Sequence, residues 1–244
     1  MKSFLMEFKR RKKHTHPRMN ACRWFWESIC FMAGQFGLVE FCVHTVTYNL
    51  IPVTFMIPLG ISIGLSVRMG VLLPINVDGA KRLAACTMLF TTALAIMVSC
   101  ILYKYQTWIV SMFTTDEAVF EGCEKIWLKL CVYNVLLYIF CISRGILSAL
   151  GFQWRTAATM IVILWCGTIP IIVHYCVGNN GGFYLMWKIL PWCYVVLNVG
   201  LTICYATADW NQIAEDIRSN TKATSDDDES IGLPKEEMLN YHNL

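Results

Sequence analysis

Between Tyr48 and Lys81 the chain reads YNLIPVTFMIPLGISIGLSVRMGVLLPINVDGAK, an apolar run interrupted by prolines and glycines that stops abruptly at Arg68. Such a run suits a membrane helix that meets a charged loop. Pro52 and Pro58 each remove a backbone donor, and in hydrocarbon the freed carbonyl is tolerated only where protein or a water-filled cavity covers it. The pattern therefore predicts a helix that lines an interior.

Composition agrees with a membrane setting. At 56% hydrophobic residues, 15% charged residues and a mean hydropathy of +0.49, the chain is too apolar for a soluble domain of 244 residues. The twelve cysteines are scattered singly through apolar runs with no C-x-x-C pair, which predicts packing residues rather than a disulfide framework or a zinc site. The fold class expected is an all-α integral membrane protein.

Residues 1–21 form a basic segment carrying Lys2, Lys9, Arg10, Arg11, Lys12, Lys13 and Arg18 against Glu7. This segment should stay cytoplasmic and can meet anionic membrane lipid; no fold that presents bases follows it, so no nucleic-acid role is expected. Residues 22–207 then hold six apolar segments, at about 22–42, 45–67, 83–103, 126–147, 157–177 and 183–206, each near the ~20 residues that an apolar layer ~30 Å thick requires. With the N-terminus inside, Arg68, Lys81, Arg82, Arg144 and Arg155 fall in inner loops and Asp116, Glu117, Glu121 and Glu124 in an outer one. Positive residues inside and an even number of spans predict a multi-pass protein with both termini cytoplasmic.

Two further segments are read from their polarity. Thr107–Lys125, flanked by Trp108, Phe113 and Trp127, predicts an interfacial loop or short helix, because indole rings favour the head-group level. Residues 208–244 predict a polar, largely disordered cytoplasmic tail, with Ser225 before Asp226, Asp227 and Asp228 as a site for an acid-directed kinase.

No soluble-enzyme motif, cofactor fingerprint or metal-ligand spacing is present, so the chain is read as a non-enzyme without cofactor or metal. Ionisable groups inside the membrane remain as functional candidates. Glu27 leads them, with Cys30, Gly34 and Gly37 placed on one helix face by their spacing and expected to turn toward other helices. Two readings stand: a desolvated carboxylate that exchanges a proton for a cation, or a structural partner of Arg23 one turn before it. Glu40, near the end of the same segment, is read as structural.

The residue order adds a likeness. Pro58, Gly60, Gly64, Ser66-Val67-Arg68-Met69-Gly70 and Ala80-Lys81 resemble a signature of the multidrug and toxin extrusion (MATE) transporters. Residues 24–50, with Trp24, Glu27, Phe31, Gly34, Gly37, Glu40 and Leu50, are similar to the seventh and eighth helices of eukaryotic members, whose pattern runs E-x-x-x-Q from the position of Glu40. SRGILSALGFQ, with Gly145, Gly151 and Gln153, resembles the end of the family's tenth helix, and Thr168-Ile169-Pro170, Gly182, Trp187 and Asp209-Trp210 follow its later pattern.

The resemblance implies one six-helix lobe, the C-terminal of the two that family members have. It implies a secondary antiporter, or the C-terminal half of one, that exports organic cations or toxins in exchange for protons or sodium. Glu27 would bind the ion or substrate with Tyr48 and Asn49 as polar neighbours, while Pro58, Gly60, Gly64, Arg68, Gly70, Gly151 and Gln153 would be structural. A second six-helix lobe or self-association would then cover the lobe's polar face. At three further interior positions where eukaryotic members usually carry acidic residues, this chain has Cys22, Asn49 and Leu137. The alternative reading is a truncated, transport-inactive membrane interaction subunit that keeps only the fold.

Overall fold

The computed structural model describes residues 24–179 and 181–230, and these form helices joined by short turns. Helix α1 covers 24–34, α2 Leu38–Leu72, α3 Val77–Lys104, α4 Gln106–Ser111, α5 Glu117–Ala149, α6 Gln153–Gly178, α7 Gly182–Ala206 and α8 Trp210–Ser230. Five of them, α2, α3, α5, α6 and α7, are long and apolar enough to cross a membrane. The chain is an all-α multi-pass membrane protein.

The first two expected spans meet at a different place. A boundary at residues 43–44 is absent; the break falls at Gly37, whose φ of 143° lies where side chains are strained. A Cβ there would sit 2.5 Å from Glu40 Oε2. Gln35 and Phe36 close the end of α1 by donating to the carbonyls of Met32 and Ala33. Val43 and His44 instead lie buried within α2, which continues for 35 residues, ~52 Å at 1.5 Å per residue.

Helix α5 is the pillar of the bundle, with 67% of its most apolar stretch buried against 22% for α2 and α3. Its neighbours tie to it by hydrogen bonds from small polar side chains. Ser62 of α2 donates to the Cys141 carbonyl at 2.7 Å, Ser99 of α3 to the Cys131 carbonyl at 3.2 Å, and Asn198 of α7 to the Leu136 carbonyl at 3.0 Å. Lipid tails are as apolar as leucine, so helices in a membrane associate through such bonds and through small residues that let backbones approach. Gly145 is that small residue on α5: a Cβ would meet Ser62 Oγ at 2.6 Å and the Ser62 carbonyl oxygen at 2.8 Å.

Two other expectations change. The region Thr107–Lys125 is helical at both ends, with α4 at Gln106–Ser111 and α5 beginning at Glu117, nine residues before the expected span. Asp116 starts α5 by accepting from the Ala118 amide at 2.9 Å, and Glu121 pairs with Lys125 at 3.7 Å one turn on. Trp108 is exposed, but Trp127 is fully buried and donates to the Leu102 carbonyl at 3.0 Å, so it packs the core rather than marking the interface. In α6, π-helical turns over Ile161–Thr168 and Val173–Gly178 flank Pro170, which cannot supply a regular helical hydrogen bond.

Residues 210–230, expected within a largely disordered tail, form α8. Trp210, Ile213, Ala214 and Ile217 recur at the helical period that makes one apolar face, and they pack on Leu65, Met69, Ala80, Ala84, Ile142 and Ile146. Arg218 donates to the carbonyls of Pro74 and Ile75 in the α2–α3 turn. This cluster gathers the end of α2, the start of α3, the end of α5 and α8 at one end of the bundle, the end that also carries Arg68, Lys81, Arg82 and Arg144. Opposite it, α5 opens on Asp116 and Glu117. The basic segment 1–21, Arg23 and the last residues of the tail, 231–244, lie outside the described residues.

The α2–α5 contact gives a direct test. Gly145→Ala should destabilise the folded protein by ~1–3 kcal/mol, because the added carbon meets backbone that cannot move alone. Gly64→Ala, with nothing within 4 Å of its Cβ, should leave the detergent melting midpoint unchanged. Equal midpoints for the two variants would show that this crossing does not limit stability.

Candidate functional site

The predicted site residues sit where α1 meets the first half of α2. On α1 the faces divide sharply: Phe25, Trp26, Ile29, Met32 and Ala33 are buried, whereas Trp24, Glu27, Phe31 and Gly34 are exposed. Glu27, expected to turn toward other helices, is on the face directed away from this bundle. The reason is size: large apolar side chains flank Glu27 and win the burial that its small-residue neighbours would otherwise have taken.

Tyr48 is half-buried and Asn49 exposed. The Tyr48 ring lies 6.2 Å from Trp26 and stacks on His44 at 6.0 Å with an interplanar angle of 18°. Trp26, the residue before Glu27, therefore links the α1 carboxylate's helix to Tyr48. Asn49 joins the outer stripe of α2, where Gly60, Gly64, Arg68 and Gly70 are also exposed. Pro58 is buried on the opposite side. Gly60 and Gly64 have nothing within 4 Å of the space a Cβ would take, so the stripe is flat and open.

The later motif residues have another task. Gly151 adopts φ 76° where α5 turns into α6, and the Phe152 amide donates to the Leu147 carbonyl at 2.9 Å across it. Gln153 begins α6 at this turn, remote in sequence and element from Glu27. Glu40 lies in the first turn of α2, where a carboxylate complements the helix dipole, and its side chain folds against Gly37.

His44 is the residue that sequence reading missed. It is fully buried, with Tyr48 stacked on one side, Trp187 at 5.9 Å and Phe183 at 6.4 Å. Both of its ring nitrogens and the Trp187 Nε1 lack a hydrogen-bond partner among the described residues. Leaving a buried polar group unanswered costs ~1–3 kcal/mol, so three together mark a place where water, a proton or a ligand group would be stabilising. The signal was present: His44 stands four residues after Glu40, where the family pattern has Gln.

Beyond His44 the aromatic surface continues. Trp26 meets Tyr133 edge-on at 5.5 Å, and Tyr133 meets Tyr194 at 4.8 Å. Aromatic faces of this kind attract cations when desolvated. Among the described residues no three His, Cys, Asp or Glu side chains cluster closely enough to hold a metal ion. The arrangement offers an exposed carboxylate on α1, a buried aromatic wall behind it and a sealed imidazole.

Comparison with known proteins gives this arrangement a family. Multidrug and toxin extrusion protein 2 of Homo sapiens is 25% identical over 199 residues, covering 81% of this chain and 33% of that protein. Multidrug and toxin extrusion protein 1 of Danio rerio is 26% identical over 217 residues, covering 86% of this chain and 36% of that protein. The chain thus spans about a third of the length of these relatives. The crystal structure of the eukaryotic MATE transporter AtDTX14 superposes with a TM-score of 0.73 at 18% identity, over 81% of this chain and 45% of that one, which is a likeness of fold. With the MatE family model matching residues 19–176, well over half of the sequence, the chain belongs to the MatE family.

Proposed function

We propose that this chain forms the C-terminal-lobe portion of a secondary antiporter that exports organic cations or toxins in exchange for protons or sodium. The observation that carries the reading is Glu27, a carboxylate on the exposed face of a helix whose other face packs into a membrane bundle. If that face lies within the membrane, as the antiport reading requires, its charge is costly unless protonated, paired or wet, and such groups serve transport. The names of the relatives, multidrug and toxin extrusion proteins, supply the direction and class of cargo. No observation favours the alternative of a transport-inactive interaction subunit.

The mechanism follows from competition at one group. A proton or sodium ion neutralises Glu27 in one state, and an organic cation does so in another, with Tyr48 and Asn49 as polar neighbours. Two ligands that cannot share a carboxylate are negatively coupled, and that coupling ties one flux to the other. The basic end of the bundle is the cytoplasmic end in this reading, which sets both termini inside. Glu40 stays structural, at the head of α2 beside the Gly37 turn.

Exchange is measured as pH-dependent uptake of a fluorescent organic cation into proton-loaded vesicles holding the chain with its completing lobe. Glu27→Gln should abolish that flux while yield and folding persist, and Glu40→Gln should reduce it only mildly. Retained flux in Glu27→Gln would remove the coupling role. A fall in yield with normal flux per molecule would assign Glu27 to Arg23 as a structural partner, at a cost of ~3 kcal/mol.

The face that carries Glu27 also predicts association. Gly60 and Gly64 are spaced four apart on an open surface, the pattern that admits a second helix closely in a bilayer. A second six-helix lobe or a second copy of this chain covers that face. Cysteine cross-links from position 67 to a neighbouring chain in native-like bilayers should form readily, and Gly64→Leu should reduce them severalfold with the melting midpoint preserved. A strictly monomeric chain under those conditions would contradict the covered face.

A further inference from the structure

At the basic end of the bundle, well apart from Glu27 and His44 in the sequence, a cleft of about 430 Å³ opens between α3 and its neighbours. One wall is a stripe of α3 made by Lys81, Ala84, Ala85, Met88 and Thr92; Ile146 of α5, Tyr205 and Trp210 form the other. Steps of three and four residues put that stripe on one helix face. The two alanines leave the floor low where longer side chains would have filled it.

The chemistry of the lining is narrow. Thr92 Oγ1 donates to the Met88 carbonyl at 2.8 Å, the Tyr205 hydroxyl to Thr202 Oγ1 at 3.3 Å, and Trp210 Nε1 to the Tyr205 carbonyl at 3.0 Å. Each of those polar groups is thus answered within the protein. Lys81 differs: it is exposed, and among the described residues no carboxylate lies within 4.0 Å of its ammonium. The cleft offers hydrocarbon along its length and one uncompensated cation at its mouth. From Lys81 to Thr92 the helix rises ~16 Å at 1.5 Å per residue. That is about half of an apolar layer ~30 Å thick, the depth of one leaflet.

We propose that this cleft binds one anionic glycerophospholipid, its phosphate-bearing head group against Lys81 and an acyl chain lying along Ala84, Ala85, Met88 and Thr92. Trp210, packed with Ala80 and Ala84, walls the cleft near Lys81. A zwitterionic lipid would bring the chain without net charge, and free phosphate the charge without the chain; the lining answers both features at once. The site stands independently of the transport reading, since none of its residues belongs to the α1–α2 site.

The full chain in detergent is titrated with phosphatidylserine or phosphatidylcholine, and bound lipid is counted by native mass spectrometry. The first phosphatidylserine should bind about fivefold more tightly than the first phosphatidylcholine, the factor that corresponds to ~1 kcal/mol for one Lys at an anionic surface. The preference should disappear in Lys81→Gln and persist in Lys81→Arg. Ala85→Phe, which fills the floor of the cleft, should weaken both lipids, and Met88→Phe serves if that variant aggregates. Equal binding of the two lipids by the unmodified chain overturns the proposal, as does a preference that survives Lys81→Gln. Displacement by inorganic phosphate would reassign the site to the ion alone, and loss of a dimer in place of a lipid in Ala85→Phe would reassign the cleft to a second copy; either result also overturns it.

Discussion

The close approach of α2 to α5 is the contact on which the remaining packing depends. In water a 35-residue helix like α2 would be held by its apolar face, but in lipid that face gains nothing by leaving one hydrocarbon for another. What holds it is the hydrogen bond from Ser62 to the Cys141 carbonyl and the missing side chain at Gly145 that lets the two backbones meet. Once α2 is fixed there, its two ends are fixed as well. His44 and Tyr48 are carried into the aromatic surface shared with α1 and α7, and Leu65, Met69 and Leu73 into the cluster capped by α8.

That geometry divides α2 into an inner and an outer face with different chemistry. The inner face is buried along the helix, at His44, Thr47, Pro58, Ser62, Leu65 and Met69. The outer face mixes small and polar residues with apolar ones: Asn49, Gly60, Gly64 and Arg68 are exposed, and so are Val53, Met56, Ile63, Val67 and Val71. The apolar residues suit lipid, and in the proposed reading the small and polar ones between them are where a second lobe would meet α2.

Much of this was legible in residue order, and what was not had a physical cause. The membrane class followed from apolar runs alone, and the crossing point at Gly145 lay within a motif that had already drawn notice. The break between α1 and α2 did not follow, because an apolar run hides its turns: Gln35 is the polar residue beside Gly37, and the turn itself depends on a backbone angle that glycine alone adopts easily. Helix α8 was hidden differently. Its mean polarity resembles a solvated tail, and only the period of Trp210, Ile213, Ala214 and Ile217 reveals the buried face. Glu27 faces away from this bundle because Phe25, Trp26 and Ile29 offer more area to bury than Cys30, Gly34 and Gly37 do, a difference that helical spacing alone does not express. His44 escaped attention because a lone histidine in an apolar run reads as core until its neighbours are known to leave both nitrogens unanswered.

The position of Pro52 and Pro58 links these parts mechanically. Both lie between the aromatic end of α2 and its Ser62 anchor on α5, the segment where the helix lacks two of its own hydrogen bonds and bends most easily. Below the anchor, the α2–α3 turn is held by Arg218, and Trp210 is buried against the same end of the helix. Above it, Val43 of α2 closes on Gly122 of α5, where a Cβ would meet Val43 Cγ2 at 2.5 Å, and Phe25 and Ile29 of α1 share one buried cluster with Cys123, Ile126 and Trp127 of α5. In the proposed antiport reading, the groups at this end with unmet hydrogen-bonding demand include the two ring nitrogens of His44 and the Trp187 Nε1, buried without a partner among the described residues. Water or a ligand group that reached them would relieve a cost of ~1–3 kcal/mol for each group it answered.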